Sequence, residues 1–104
     1  MKFKTIFLSK APDADPEKHR AVVETDKMKL WVQVVRNTEE AAGIVSQLTE
    51  KEGLHSVLLC PGFSHSEVAR IQDAAGPSVS VSVARGDGPG NRVIGEVFRQ
   101  VGWH

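Results

Sequence analysis

The chain has a single cysteine, Cys60, and no tyrosine among its 104 residues. A lone cysteine excludes an intrachain disulfide, so the fold must be held together by its core. Neither sign of charge is in excess, because Lys plus Arg and Asp plus Glu both number 13. Without a basic surplus to neutralise a phosphate backbone, we expect no nucleic-acid partner.

Long hydrophobic runs are also missing, since the longest apolar stretches have the length of a strand. We therefore expect no membrane span, and the first residues lack the pattern of a secretory signal. These absences favour a cytoplasmic protein. The hydrophobic share of 40% and the charged share of 25% are those of a globular chain, and the length fits one domain covering residues 1–104.

Hydrophobic periodicity predicts four strands and four helices. The strands are predicted at residues 3–8, 30–35, 56–60 and 78–83, and the helices after Asp15, Asn37, Ser64 and Asn91. The first helix depends on Asp15 followed by proline, with Val22 and Val23 on its apolar face. The second and third depend on the capping-box spacing of Asn37 or Ser64 with a glutamate three residues later.

The alternation of strands and helices predicts an α/β fold: a single three-layer domain with a four-stranded, mostly parallel sheet and helices on both faces. Placing the two most apolar strands at the centre gives the flavodoxin-like order 2-1-3-4. Serine and valine alternate strictly along residues 78–83. This pattern predicts an edge strand whose serine face is poorly covered.

Ligands of open α/β sheets bind at the carboxyl ends of strands, where the chain reverses direction. The predicted ligand-binding residues in these loops are Ser9, Gly62, Phe63, Ser64, His65 and Arg85. Free N–H groups at the start of the third helix, with His65 and Arg85 adding positive charge, favour a small anion. The alternative is a well-capped turn that binds nothing.

The predicted catalytic residues, if the protein is an enzyme, are Cys60, His65 and Asp87. A thiolate–imidazole pair would supply a nucleophile and its base. Structural roles remain open for all three: a small buried side chain for Cys60, a hydrogen-bonded histidine under the loop, and a plain turn at Asp87. No two histidines have metal-ligand spacing, and the glycines lack the dinucleotide pattern, so we expect no metal and no cofactor.

Three strings give the chain a family resemblance: Ala-Asp-Pro-Glu-Lys-His-Arg-Ala-Val-Val-Glu-Thr at 14–25, Cys-Pro-Gly-Phe-Ser-His at 60–65, and Ala-Arg-Ile at 69–71. The chain resembles a family of small uncharacterised bacterial α/β proteins, a domain of unknown function with a Cys-x-Gly-Phe element. In that family a glycine is usual at the position of Pro61, and a glycine–histidine pair at Ser64 and His65. The resemblance implies the fold and leaves the activity open.

Three functions follow as expectations. The first is binding of a small anionic metabolite at the carboxyl edge of the sheet. The second is a small hydrolase- or isomerase-like enzyme that uses His65 with Cys60 or Asp87. The third is a homo-oligomeric interaction protein, and a homodimer is expected because the surface is neutral and an edge strand is exposed.

Overall fold

The computed structural model describes residues 1–85 and 91–103, which form a five-stranded sheet and three helices. The strands are β1 (Phe3–Lys10), β2 (Arg20–Glu24), β3 (Met28–Val35), β4 (Ser56–Leu59) and β5 (Ser80–Val83). The helices are α1 (Thr38–Glu52), α2 (His65–Ala75) and α3 (Asn91–Gln100). The α/β class expected from the sequence is therefore confirmed.

The sheet is mixed, and its strands lie in the order β2-β3-β1-β4-β5. The expectation of four strands in the flavodoxin-like order 2-1-3-4 is wrong for this sheet, because an additional strand, β2, forms one edge. β2 runs antiparallel to β3, whereas the pairs β1–β3, β1–β4 and β4–β5 are parallel. The four parallel strands consequently share one carboxyl edge.

Strand β2 lies where the sequence predicted the first helix. The capping signal at Asp15 does form one helical turn, in which its carbonyl accepts from the N–H of His19 (2.8 Å). The turn does not continue, and the following residues pair with β3, with Val22 opposite Trp31. Consecutive β-branched residues favour an extended backbone, so a hairpin replaces the predicted helix.

The predicted ends of the next two helices are confirmed. The side chain of Asn37 accepts from the N–H of Glu40 at the start of α1 (2.9 Å), and Gly53 ends that helix in the left-handed conformation (φ 72°). Ser64 and Glu67 form a reciprocal capping box at the start of α2. The sequence predicts these helix ends because the residues that form each cap lie within about four positions of one another.

The core lies between the sheet and helices α1 and α2, which both pack on one face. The largest of its fully buried side chains, none more than 1% exposed, are Ile6, Leu8, Val35, Val45, Val57, Leu59 and Ile71. Strand β4, expected at the centre from its continuous apolar run, is paired on both sides. The core is therefore built from the central strands and one helical layer.

The opposite face of the sheet, which we name the open face, contains no buried residue. Strand pairing assigns to it Phe3, Thr5, Phe7, Ser9, Ala21, Val23, Met28, Leu30, Val32, Val34, Ser56, Leu58, Ser80 and Ser82. Phe3 is 47% exposed and Leu58 is 39% exposed. The expectation of three layers is thus wrong for the described residues, which form two layers.

β5 is an edge strand with Ser80 and Ser82 exposed, as its alternating pattern predicts. α3 differs from expectation, because none of its residues is buried although its apolar stripe was predicted to pack on the sheet. An amphipathic pattern determines which side chains share a face but does not specify what covers them. Within the described part of the chain, no helix has the length and apolar character needed to span a bilayer.

Candidate functional site

A cavity of about 990 Å³ lies between the carboxyl edge of the sheet and α3. The backbone ladders continue just past the strands at this edge. The N–H of Ala11 donates to the carbonyl of Val35, and the N–H of Cys60 donates to that of Leu8, both at 2.9 Å. The loops after β1 and β4 therefore both begin at this edge of the sheet, and residues of both line the cavity.

The two walls of the cavity differ in chemistry. The sheet side is formed by residues 9–12, Arg36, residues 60–62 and Arg85. The helix side is formed by Asn91, Ile94, Phe98 and Trp103. We name the sheet side the basic wall, because it contributes the three basic side chains Lys10, Arg36 and Arg85, and the helix side the apolar wall.

Lys10, the last residue of β1, is the first basic group of the sheet wall. Its Nζ lies 3.1 Å from a carboxylate oxygen of Glu67 and 4.7 Å from the centre of the Phe63 ring. The ion pair and the cation–π contact hold the ammonium group near the start of α2. Its position is therefore defined before any ligand arrives.

Arg36 and Arg85 follow β3 and β5 and complete the basic wall. The Nη2 of Arg36 lies 2.6 Å from Glu40, whose carboxylate also accepts from the backbone N–H of Arg36 (2.8 Å). The side-chain hydrogen bond with Glu40 raises the pKa of Arg36 above its usual value. Arg36 therefore stays charged, and the carboxylate fixes its direction.

The apolar wall is built around an aromatic pair. The rings of Phe98 and Trp103 are stacked at 4.9 Å between centroids with an interplanar angle of 10°. The chain turns back at Gly102, whose φ of 74° suits a residue without a side chain. This turn brings Trp103 onto Phe98, and both residues of the stacked pair line the cavity.

The start of α2 is occupied by the chain's own carboxylate. Glu67 accepts from the backbone N–H of Ser64 (2.8 Å), from the hydroxyl of Thr38 and from Lys10. The backbone hydrogen bond from Ser64, followed by that from Thr38, lowers the pKa of Glu67 to about 2. The carboxylate of Glu67 therefore occupies the start of α2, where the sequence predicted that the anion of a ligand would bind.

Comparison with known proteins assigns the family. A model of a family of unknown function, DUF6506, matches residues 3–97. The chain belongs to this family. No curated protein and no solved structure matches the chain.

The family match extends over all five strands of this DUF6506 chain and into α3. It includes Lys10, Arg36 and Arg85 on the basic wall, and Ile94 on the apolar wall. It ends before the stacked pair of Phe98 and Trp103. The basic wall thus lies wholly within the family match, whereas the aromatic surface lies beyond it.

The structure brings three of the predicted ligand-binding residues together on the cavity: Ser9, Gly62 and Arg85. Phe63 is instead part of the core and is 5% exposed. Ser64 and His65 are exposed at the start of α2 and are not among the residues that line the cavity. The cavity in this DUF6506 chain therefore lies at the strand ends and not at the helix start.

Of the predicted catalytic residues, Cys60 is among those that line the cavity. Cys60 is half-buried and lines the cavity, while His65 lies outside it. Asp87 lies outside the described residues. Residues 1–85 and 91–103 also contain no group of three His, Cys, Asp or Glu side chains placed to hold a metal ion.

The sequence prediction did not name Lys10, Arg36, Ile94 or Phe98 as ligand-binding residues, although all four line the cavity. A signal existed for the two basic ones, because each lies at the carboxyl end of a parallel strand. The sequence offered no comparable signal for Ile94 and Phe98. Their place on the cavity depends on where α3 lies, which its own periodicity does not define.

Proposed function

We propose that this DUF6506 chain binds a small anionic metabolite that has an apolar or aromatic body. The observation that carries the proposal is that Lys10, Arg36 and Arg85 line the same cavity as the stacked Phe98 and Trp103. Arginine side chains suit carboxylates and phosphates because their donors form a planar fork. An aromatic surface in the same cavity favours a ligand whose other end is flat and apolar.

The size of the cavity supports a metabolite-sized ligand. Its volume of about 990 Å³ is at the upper end of the roughly 300–1,000 Å³ found for small-molecule sites. Glu40 binds one edge of the Arg36 guanidinium through Nε and Nη2. We assign the opposite edge of the guanidinium to the anionic group of the ligand.

Probe binding tests the proposal. Isothermal titration would compare phenylpyruvate, indole-3-acetate, phenyl phosphate and inorganic phosphate against the parent protein. The aromatic anions are expected to bind, and inorganic phosphate is expected to bind more weakly because it does not use the aromatic wall. If none of the aromatic anions binds, the proposal is wrong.

The chain offers a matched pair of arginine variants. Arg36 on the cavity donates Nε and Nη2 to one carboxylate oxygen of Glu40, and Arg70 on α2 donates the same two nitrogens to the two carboxylate oxygens of Glu39. Arg36→Gln is expected to weaken binding of an aromatic anion by about 1–3 kcal/mol, the usual effect of losing a charged hydrogen bond. Arg70→Gln is expected to leave it unchanged, and equal effects of the two variants would exclude the basic wall as the site.

His65→Ala separates the cavity from the start of α2. An imidazole that contributes to the anion site, as the sequence suggests, would make this variant bind the probe more weakly. Binding confined to the cavity leaves the affinity unchanged, because His65 is not part of the lining. The same titration therefore decides where on this edge of the sheet the anion binds.

A further inference from the structure

The open face of the sheet is free of charged side chains. The strands contain five charged residues, Lys4, Lys10, Arg20, Glu24 and Lys29, and strand pairing places all of them on the face that carries α1 and α2. A sheet face that water covers usually alternates apolar residues inside with polar or charged residues outside. Here the uncovered face is the one without charge.

Large apolar side chains form a continuous surface on this face. Phe3, Phe7, Leu30, Val32, Val34 and Leu58 lie on three adjacent strands, β3, β1 and β4, and Val23 extends the surface onto β2. None of these side chains is buried. Monomeric proteins rarely leave a contiguous apolar patch of this kind in contact with water.

The chain's own α3 is too small to cover this face. A helix is roughly 10 Å wide, and ten residues extend about 15 Å. Five strands spaced about 4.8 Å apart, each averaging about six residues, form a face of roughly 24 Å by 19 Å. Even if α3 lay on the sheet, it would leave more than half of the open face exposed.

We propose that the open face is the interface of a homodimer, in which the sheets of two copies pack face to face. Two sheets stack stably about 10 Å apart when both inner faces are apolar. The flat area of the face is about 450 Å² per copy, or about 900 Å² for both copies. This is close to the roughly 1,000 Å² expected of a specific interface, and the side chains that project from the sheet add to it. A partner for this surface must be equally large and uncharged, and a second copy meets both conditions through a two-fold axis.

Adjacent residues of β2 provide a test with an internal control. Val23 lies on the open face and is 55% exposed, and Val22 lies on the other face and is 52% exposed. Val23→Asp would bury a carboxylate in the proposed interface, whereas Val22→Asp would not. The two positions lie on the same strand, carry the same residue type and have similar exposure. The two substitutions should therefore have the same effect on any contact that another copy makes with the edge of β2.

Sedimentation equilibrium at micromolar concentration, without ligand, gives the readout. The parent is expected at twice the chain mass of 11.3 kDa. Val23→Asp is expected to raise the dimer dissociation constant at least about tenfold, because an unpaired buried charge costs more than the 1.4 kcal/mol that this factor represents. Val22→Asp is expected to remain as dimeric as the parent. Circular dichroism checks that each variant is folded.

Leu58→Asp on β4 tests the same face at a second point, in case the interface does not reach β2. A parent protein that is monomeric throughout the micromolar range overturns the proposal. A dimer that survives both Val23→Asp and Leu58→Asp also overturns it. Equal weakening by Val22→Asp and Val23→Asp would assign the contact to the sheet edge and overturn the face-to-face arrangement. Because no ligand is present, none of these outcomes depends on the proposed anion site.

Discussion

Glu67 links three separate segments of the chain at the level of single residues. Its carboxylate accepts from Lys10 at the end of β1, from Thr38 at the start of α1 and from Ser64 at the start of α2. All three donors stabilise the charged form, which explains why the pKa of this side chain is lowered to about 2. Glu67 therefore stabilises the fold more strongly when it is ionised than when it is protonated.

Glu67→Gln removes that charge and keeps the shape of the side chain. We expect the free energy of unfolding to fall by about 1–2 kcal/mol at neutral pH, since charged hydrogen bonds are replaced by neutral ones. The folded pKa is depressed, so the contribution is fully present above the ordinary value of 4.5 and is lost as the pH falls towards about 2. Urea unfolding of parent and variant across this pH range should show the two converging. A constant difference between them would contradict the assigned charge.

The glycine that follows helix α1 determines where the helix ends. Gly53 closes the helix with a φ of 72°, and its N–H donates to the carbonyl of Thr49 (3.2 Å). Within the same helix, Gly43 has open space where a Cβ would stand and does not have a positive φ. The two glycines therefore differ in conformation although both have space for a methyl group.

Alanine substitutions should consequently have opposite effects at these two positions. Gly53→Ala is expected to destabilise the protein by about 1 kcal/mol, because a left-handed backbone is strained for any residue with a Cβ. Gly43→Ala is expected to stabilise it by about 0.5–1 kcal/mol through better helix propensity. Thermal unfolding measured side by side checks the signs. If both variants are stabilised, the left-handed cap is not what ends α1.

The helices and strands of this protein differ in how well their own sequences predict them. The caps of α1 and α2 are local, so Asn37 and Ser64 predicted both helices. Strand β2 was missed because the pattern of Val22 and Val23 satisfies a helical stripe and a hairpin equally well over five residues. Pairing with β3 decided between them, and that pairing lies outside the window in which the helix signal is read.

The whole molecule divides into a packed two-layer body and a helix that adds nothing buried to it. Val45 of α1 is fully buried in the core, while Val97 of α3 is 45% exposed. Both are valines in helices, so a comparison of the two compares the core with the surface of α3. The difference in exposure shows that Val45 contributes to the core and that Val97 does not.

Truncating each valine to alanine tests this division. Val45→Ala is expected to lower the free energy of unfolding by about 2 kcal/mol, since two buried methyl groups are removed and a cavity is left. Val97→Ala is expected to change it by no more than about 0.5 kcal/mol, as for a surface position. Chemical denaturation of both variants gives the comparison. A loss at Val97 comparable to that at Val45 would show that α3 is packed in solution.

The sequence by itself determined the local and one-dimensional features of this protein: the α/β class, the caps of two helices, the edge position of β5 and the loops in which a ligand site was sought. These features follow from periodicity and from contacts a few residues apart. Only the tertiary structure decided that β2 extends the sheet and that no residue of α3 is buried against its other face. It also showed that Lys10 and Arg36 share a cavity with Phe98. Each of these depends on the free energy of packing elements distant in sequence, which no local pattern specifies.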